Sequence, residues 1–390
     1  MFEGQHKLYF TLLWILMLFL PSIPAMTQNG KITLVAGGGI GGDGGKATSA
    51  KLVEPFAVGS DSTGNLYIVE MEGGERLRKI SKNGIITTIA GTGEKGFSGD
   101  GGLATQAQIN GSHHLIVLPK GDILLADTFN NRIRRIDHKT RTITTIAGTG
   151  KQGFSGDGGL ATQADFGGIY CLTLDSKKNR LYICDLDNRR IRLLDIKTGI
   201  VTTVAGNGER GVPKDGEFAL KSPLVDPRAI ALDLKGNLYI LERSGDALRK
   251  VTPDGKIQTL IGAPNHLPAP EIGSMSGPKH LCVDYQGDVF IADTEKHRIL
   301  KYSTKTGQVQ QIIGTGNPPK EGDSPTTDLK GSANQINLYR PHGVFLHHNG
   351  SLYIADSSNG RILQISGNLS RDFIFNPFSC LSKTSVFQTR

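Results

Sequence analysis

The sequence predicts an all-β ring: a six-bladed β-propeller with four-stranded blades, in which an N-terminal strand closes the last blade. Three observations carry this. Strand-exit glycines at Gly37, Gly91, Gly148, Gly206, Gly262 and Gly314 recur every 52 to 58 residues, a period that belongs to repeat architectures. Between them, apolar and polar residues alternate with period two across polar turns, the pattern of antiparallel hairpins. Finally, an outer-strand copy, ITLVAG, precedes the first repeat, whereas the last repeat lacks one after Ile365. Pairing the two ends would hide an exposed edge.

The chain begins with an apolar run from Leu8 to Leu20 that follows Lys7 and ends at PSIPAM. This is the pattern of a secretory signal over residues 1–26. A retained anchor is the competing reading, but a spanning helix needs about 20 apolar residues, and Pro21 and Pro24 interrupt this run. The expectation is an exported protein, periplasmic, cell-surface or secreted, with no stable membrane span after cleavage. The ring is expected over residues 31–367, followed by a peripheral tail over 368–390 that carries four Phe without periodicity.

Composition agrees with many tight turns. There are 51 glycines in 390 residues, and 37% of the chain is hydrophobic in regular runs, which argues against disorder. The formal charge of +8 suits an anionic partner without selecting one. Four cysteines, Cys171, Cys184, Cys282 and Cys380, are too few and scattered for a disulfide framework or a zinc site. Cys171 and Cys184 flank one turn symmetrically, and two buried thiols is the simpler reading of that pair.

In each blade the second strand ends in an acid: LYIVE, ILLAD, LYICD, LYILE, VFIAD and LYIAD. A polar turn and a basic-apolar third strand follow, as in DTFNNRI, DLDNRRI, DTEKHRI and DSSNGRI. These segments resemble the NHL repeat, an apolar strand ending in Asp, a turn with Asn, then Arg-Ile, and the resemblance covers all six blades. It implies a six-bladed propeller. Blade four departs, with Ala247 in place of the Arg, and blade one has an extra residue between Glu70 and Arg76. Six copies of one acid argue for structure rather than catalysis. Asp127, Asp185, Asp293 and Asp356 are expected to accept turn N–H groups and to face the Arg that opens the third strand.

Glycine-rich loops with Asp43, Asp100 and Asp157 join the first blades. Their G-x-G-x-x-G spacing mimics a dinucleotide fingerprint, but no parallel βαβ unit accompanies it. Calcium is an alternative for these carboxylates, although one per loop is thin for six to eight oxygen ligands. Similar long loops occur in exported bacterial NHL propellers and in teneurin-like surface proteins, which implies a recognition face outside the cytoplasm.

Aligning the blades on their second strands puts Phe56, His113, Tyr170, Arg228, Lys279 and His342 at one position, the start of the inner strand and the mouth of the central channel. The next position, Ala57, His114, Cys171, Ala229, His280 and Gly343, is expected to point the other way by strand alternation. His113, Tyr170, Arg228, Lys279 and His342 are the candidate ligand-binding residues. His113 and His342 are the candidates for a zinc ion, with Glu54 and Asp226 as nearby helpers. Six-bladed relatives such as the peptide-amidating lyase, and gluconolactonase-like or virginiamycin-lyase-like propellers, work at this opening.

The preferred function is an exported binding or scaffolding module that recognises a protein, peptide or anionic glycan through its loop-rich face, with no cofactor required. The alternative is a metal-assisted lyase or hydrolase at the mouth. Basic third strands, with Arg132, Arg134, Arg135, Arg189, Arg190 and Arg192, resemble those of RNA-binding NHL regulators, but export and the lack of an aromatic platform argue against nucleic acid.

Overall fold

The structure is a computed structural model, which describes residues 31–262, 273–320, 329 and 331–367. The signal-like segment, the C-terminal tail and Cys380 lie outside the described residues. Among those described there is no α-helix, only short 3-10 turns, and no helix long and apolar enough to cross a membrane.

Twenty-four strands form six antiparallel four-stranded sheets. Blade 1 comprises β2 (Pro55–Ser60), β3 (Leu66–Glu70), β4 (Arg76–Ile80) and β5 (Ile86–Ala90). Blades 2 to 5 repeat that order, with inner strands β6 (His114–Val117), β10 (Ile169–Asp175), β14 (Pro227–Leu232) and β18 (His280–Val283). Blade 6 is β22 (Pro341–Leu346), β23 (Leu352–Asp356) and β24 (Arg361–Ser366), completed by β1 (Lys31–Gly37). The β1–β24 register pairs Ile32 with Ile365 and Leu34 with Leu363, so the ends of the chain close the ring as the sequence predicts.

The core lies between blades. Leu124, Ala126 and Ile133 of blade 2, for example, pack on Leu172, Leu181 and Leu194 of blade 3. Burying each such Leu or Ile contributes about 1.5–3 kcal/mol. The strand-exit glycines mark the period for a steric reason. At Gly91 and Gly148 φ is +88° and +91°, and an added Cβ would lie 2.2 and 2.0 Å from the carbonyl oxygens of Glu75 and Asn131.

The acid-arginine pairs differ from expectation in blades 2 and 3. In blades 5 and 6 the opening arginine pairs as predicted, Arg298 with Asp293 at 2.7 Å and Arg361 with Asp356 at 2.6 Å. In blades 1 to 4 the partner is the third residue of the strand: Arg78 to Glu70, Arg134 to Asp127, Arg192 to Asp185 and Arg249 to Glu242. First and third residues of a strand share a face, so either reaches the acid. The turn carboxylates also accept backbone N–H groups as expected, Asp127 from Asn110 and Asp185 from Gly167. Blade four is therefore not deficient, because Ala247 stands where no ion pair is needed.

The glycine loops explain the shift. Asp43, Asp100 and Asp157 each reach the third-position arginine of the next blade, Arg78 at 2.7 Å, Arg134 at 2.9 Å and Arg192 at 2.8 Å. Each of these arginines is thus held between two carboxylates. The loops also hydrogen-bond along the outer strand of that blade, as in Gly101 N–H to Ile143 O and Ala104 N–H to Arg141 O. A fourth loop does the same, with Asp215 accepting from Thr259 N–H and Gly216 donating to Ile257 O. That covers four outer edges that would otherwise be open for pairing with other chains.

A second device links neighbouring blades on the mouth side. In blades 1, 2, 4 and 5 the left-handed residue that ends the second-to-third strand turn reaches into the next blade's entry loop. Glu75 accepts from Gly111 N–H, Asn131 from Gly168 N–H, Asp246 from Gly277 N–H and His297 from Arg340 N–H, at 2.9 to 3.1 Å.

Candidate functional site

These entry loops deliver the six aligned side chains to one place. His342 stacks on Phe56 with ring centroids 3.9 Å apart, and His113 meets Phe56 edge-on at 4.9 Å. His113 meets Tyr170 at 4.6 Å, and the Arg228 guanidinium lies 4.0 Å from the Tyr170 centroid. On the other side, Lys279 Nζ sits 3.0 Å from His342 Nε2. Contacts thus run from Lys279 through His342, Phe56, His113 and Tyr170 to Arg228, in blade order. The remaining step, between Arg228 and Lys279, joins two cations of adjacent blades.

All but Tyr170 and Lys279 are buried. Arg228 Nε and Nη1 have no hydrogen-bond partner, and neither does His342 Nδ1. Burial draws the Arg228 pKa down to about 10, against the opposing influence of Tyr170. Burial also lowers His113 and His342 well below the usual imidazole range, reinforced by Arg228 and Lys279, so both rings are neutral near pH 7. Lys279 falls to about 8, because burial and the charges of Arg340 and Arg228 outweigh its 3.2 Å ion pair with Glu295. Glu295 is shared with Arg340 at 2.9 Å, so its charge is divided.

The two helper carboxylates are engaged elsewhere. Asp226 accepts from Ser244 N–H and Oγ and faces Arg243. Burial raises the Glu54 pKa, and its neighbours are Arg340 and Ser358. Phe56 separates His113 from His342, His113 Nδ1 faces Gly111 O at 2.7 Å, and His342 Nε2 faces the Lys279 amine. The two imidazoles are therefore not joined on one point as a metal pair would be.

The position after the ring contradicts the alternation argument. His114 and His280, from opposite blades, meet with centroids 4.8 Å apart, and Cys171 Sγ lies 3.9 Å from His280 Nε2. These side chains point inward as well. Register shifts at Pro55/Ala57, Ile169/Leu172, Pro227/Ala229 and Pro341/Gly343 mark an entry bulge in blades 1, 3, 4 and 6. In blades 2 and 5 the N–H groups of His113 and Lys279 reach the carbonyls of Ala126 and Ala292, the strand partners of His114 and His280, so two residues face one there too and the alternation resets. The three groups cross the channel above a cavity of about 260 Å³ lined by the lower inner strands.

His114, Cys171 and His280 are also a donor set for a soft metal. Their hydrogen bonds oppose it. Leu172 N–H donates to His114 Nδ1 and Val344 N–H to His280 Nδ1, which places the proton of each neutral ring on Nε2. Burial pushes the Cys171 thiol up to about 12, far from the thiolate a metal requires. Cys184 is likewise a buried free thiol, donating to Pro227 O.

Phe129 stands beside His113 at 5.5 Å and is 51% exposed, adding an aromatic face to the mouth that sequence alignment of the inner strands does not reveal. It lies in the turn after Asp127, where the repeat pattern constrains only Asp and Asn.

Six blades, the repeated acid-arginine pairs and the closing strand define an NHL-type propeller. The chain belongs to the NHL-repeat β-propeller family. The Teneurin NHL domain profile matches residues 24–96 and 160–276. Mouse Teneurin-3 is 24% identical over 360 residues, covering 83% of this chain and 13% of its own length. Bovine NHL repeat-containing protein 2 is 24% identical over 347 residues, covering 80% of this chain and 46% of its own length. The chain therefore spans a small part of the teneurins and under half of the bovine protein. Among solved structures, a protein of unknown function from Bacteroides thetaiotaomicron superposes with a TM-score of 0.61 at 19% identity, covering 87% of this chain and 76% of that one. An auxiliary nutrient binding protein from the same organism gives 0.61 at 14% identity, with the same coverage. At such identities the likeness is one of fold.

Proposed function

We propose that this propeller is an exported binding module whose channel mouth seats an anionic group of a protein, peptide or glycan. The observation that carries the reading is the break between Arg228 and Lys279. Five of six steps around the mouth are direct side-chain contacts, and the sixth falls between two cationic residues of adjacent blades, one a buried guanidinium with Nε and Nη1 unpartnered. A buried charge without a partner costs several kcal/mol, and an anion bridging the break would offset that. Phe129 and Tyr170 offer aromatic faces to the rest of such a ligand.

Export rests on the signal-like N-terminus, and the fold likeness to a nutrient binding protein is consistent with it. Calorimetric titration with polygalacturonate and with an acidic peptide tests the reading, using wild type and Arg228→Gln. The expected result is binding of one acidic probe that weakens in the variant by about 30-fold or more, the range for removing a buried charged partner. Equal binding to both proteins would contradict it.

A further inference from the structure

We propose that Lys279 is a reactive amine that condenses reversibly with a carbonyl compound entering the mouth, with His342 moving the proton and Arg228 holding a carboxylate next to the carbonyl. This goes beyond anion binding and, for acidic carbonyls alone, rests on it. Lys279 is anchored by its own N–H to Ala292 O, and its side chain is only 13% exposed. Its Nζ lies 3.0 Å from the Nε2 of an imidazole that is itself fixed by stacking on Phe56. That contact is satisfied equally by ammonium donating to Nε2 or by Nε2–H donating to a neutral amine, so the pair can pass one proton within the contact.

The groups around Lys279 set its charge. Glu295 at 3.2 Å favours the ammonium, whereas burial, Arg340 and Arg228 disfavour it, and the balance falls near pH 8. At pH 7 roughly a tenth of the side chain is then neutral, against less than a thousandth for an ordinary lysine. His342 stays neutral beside it, with Nε2 facing the amine at 3.0 Å as the route for a proton in transit.

The step balances without any redox partner. The neutral amine attacks the carbonyl carbon, forming a C–N bond and an alkoxide, and His342 Nε2 carries one nitrogen proton to that alkoxide to give the carbinolamine. A second nitrogen proton follows the same route to the hydroxyl, the C–O bond breaks, and water leaves an imine. The class of ligand is an aldehyde or 2-oxo acid, and Arg228 adds the preference for the acid.

The test uses the full chain with glyoxylate, and separately with propanal, in the presence of cyanoborohydride, followed by peptide mapping. The expected result is one dominant adduct at Lys279, formed at pH 7 at least about tenfold faster than at the exposed lysines, with its rate half-maximal near pH 8. Lys279→Arg should abolish it. His342→Gln should slow it, and Glu295→Gln, which removes the counter-charge, should speed it at pH 7. Adducts spread over exposed lysines, or a half-point near pH 10, would overturn the proposal. Propanal labelling of Lys279 without any glyoxylate preference would keep the amine and overturn the Arg228 seat instead.

Discussion

Arg249 donates from Nε and Nη2 to one oxygen of Glu242, at 3.0 and 2.8 Å, in the blade whose third strand opens with Ala247. Both side chains are fully buried, so breaking the pair leaves a charge without solvent. Arg249→Met should cost about 3–5 kcal/mol in urea unfolding. A comparable change at Arg132, whose guanidinium lies 3.8 Å from the half-exposed Phe97 ring, should cost about 1 kcal/mol. Equal costs would remove the distinction between first and third positions.

Asn131 separates backbone conformation from inter-blade bonding. Its φ is +51°, and its Oδ1 accepts from Gly168 N–H at 3.0 Å. Asn131→Gly keeps the left-handed turn and loses the bond, while Asn131→Ala loses both. The alanine variant should unfold about 1 kcal/mol more easily than the glycine variant, and each should be less stable than wild type.

The loop carboxylates are committed to protein partners. Asp100 accepts from Arg134 Nε and from Thr145 Oγ1. Chelator should therefore leave the melting midpoint unchanged, while Asp100→Ala should lower the midpoint, with a loss of stability of about 1–3 kcal/mol. A midpoint that falls with chelator and recovers with calcium would favour the ion.

Lys279 has a pH signature in stability. Its pKa is about 8 folded against 10.5 when unperturbed, so between those values the unfolded chain binds more protons. Stability then rises with pH across that window, and the full penalty applies below pH 8. Lys279→Met removes the penalty. It should be more stable than wild type at pH 7, by up to about 3 kcal/mol, and the gain should fade toward pH 10.5. A variant no more stable at pH 7 than at pH 10.5 would contradict the depressed pKa.

The ring was legible because its markers are local. A strand-exit glycine answers to a carbonyl at the start of the adjacent strand that is equivalent in each repeat, so it recurs in sequence, as do the turn acids. The mouth residues were legible by alignment for the same reason. What the sequence withheld was pairing across blades. Asp100 reaches Arg134 across 34 residues, and Glu75 reaches Gly111 across 36; the loop acids and strand arginines recur, but recurrence alone does not say which of them meet. The Asp215 loop was readable in retrospect from its D-G-x-x-A spacing, shared with Asp43, Asp100 and Asp157, although its glycines are fewer. The inward turn of His114, Cys171 and His280 depends on the entry bulge, and strict alternation assumes there is none.

The break between Arg228 and Lys279 is the proposed anion seat. Bromide soaked into crystals of the protein, located by its anomalous scattering, tests it most directly. The expected result is a peak bridging Arg228 and Lys279, absent in Arg228→Gln crystals. Bromide bound at other sites with none beside Arg228 would contradict it.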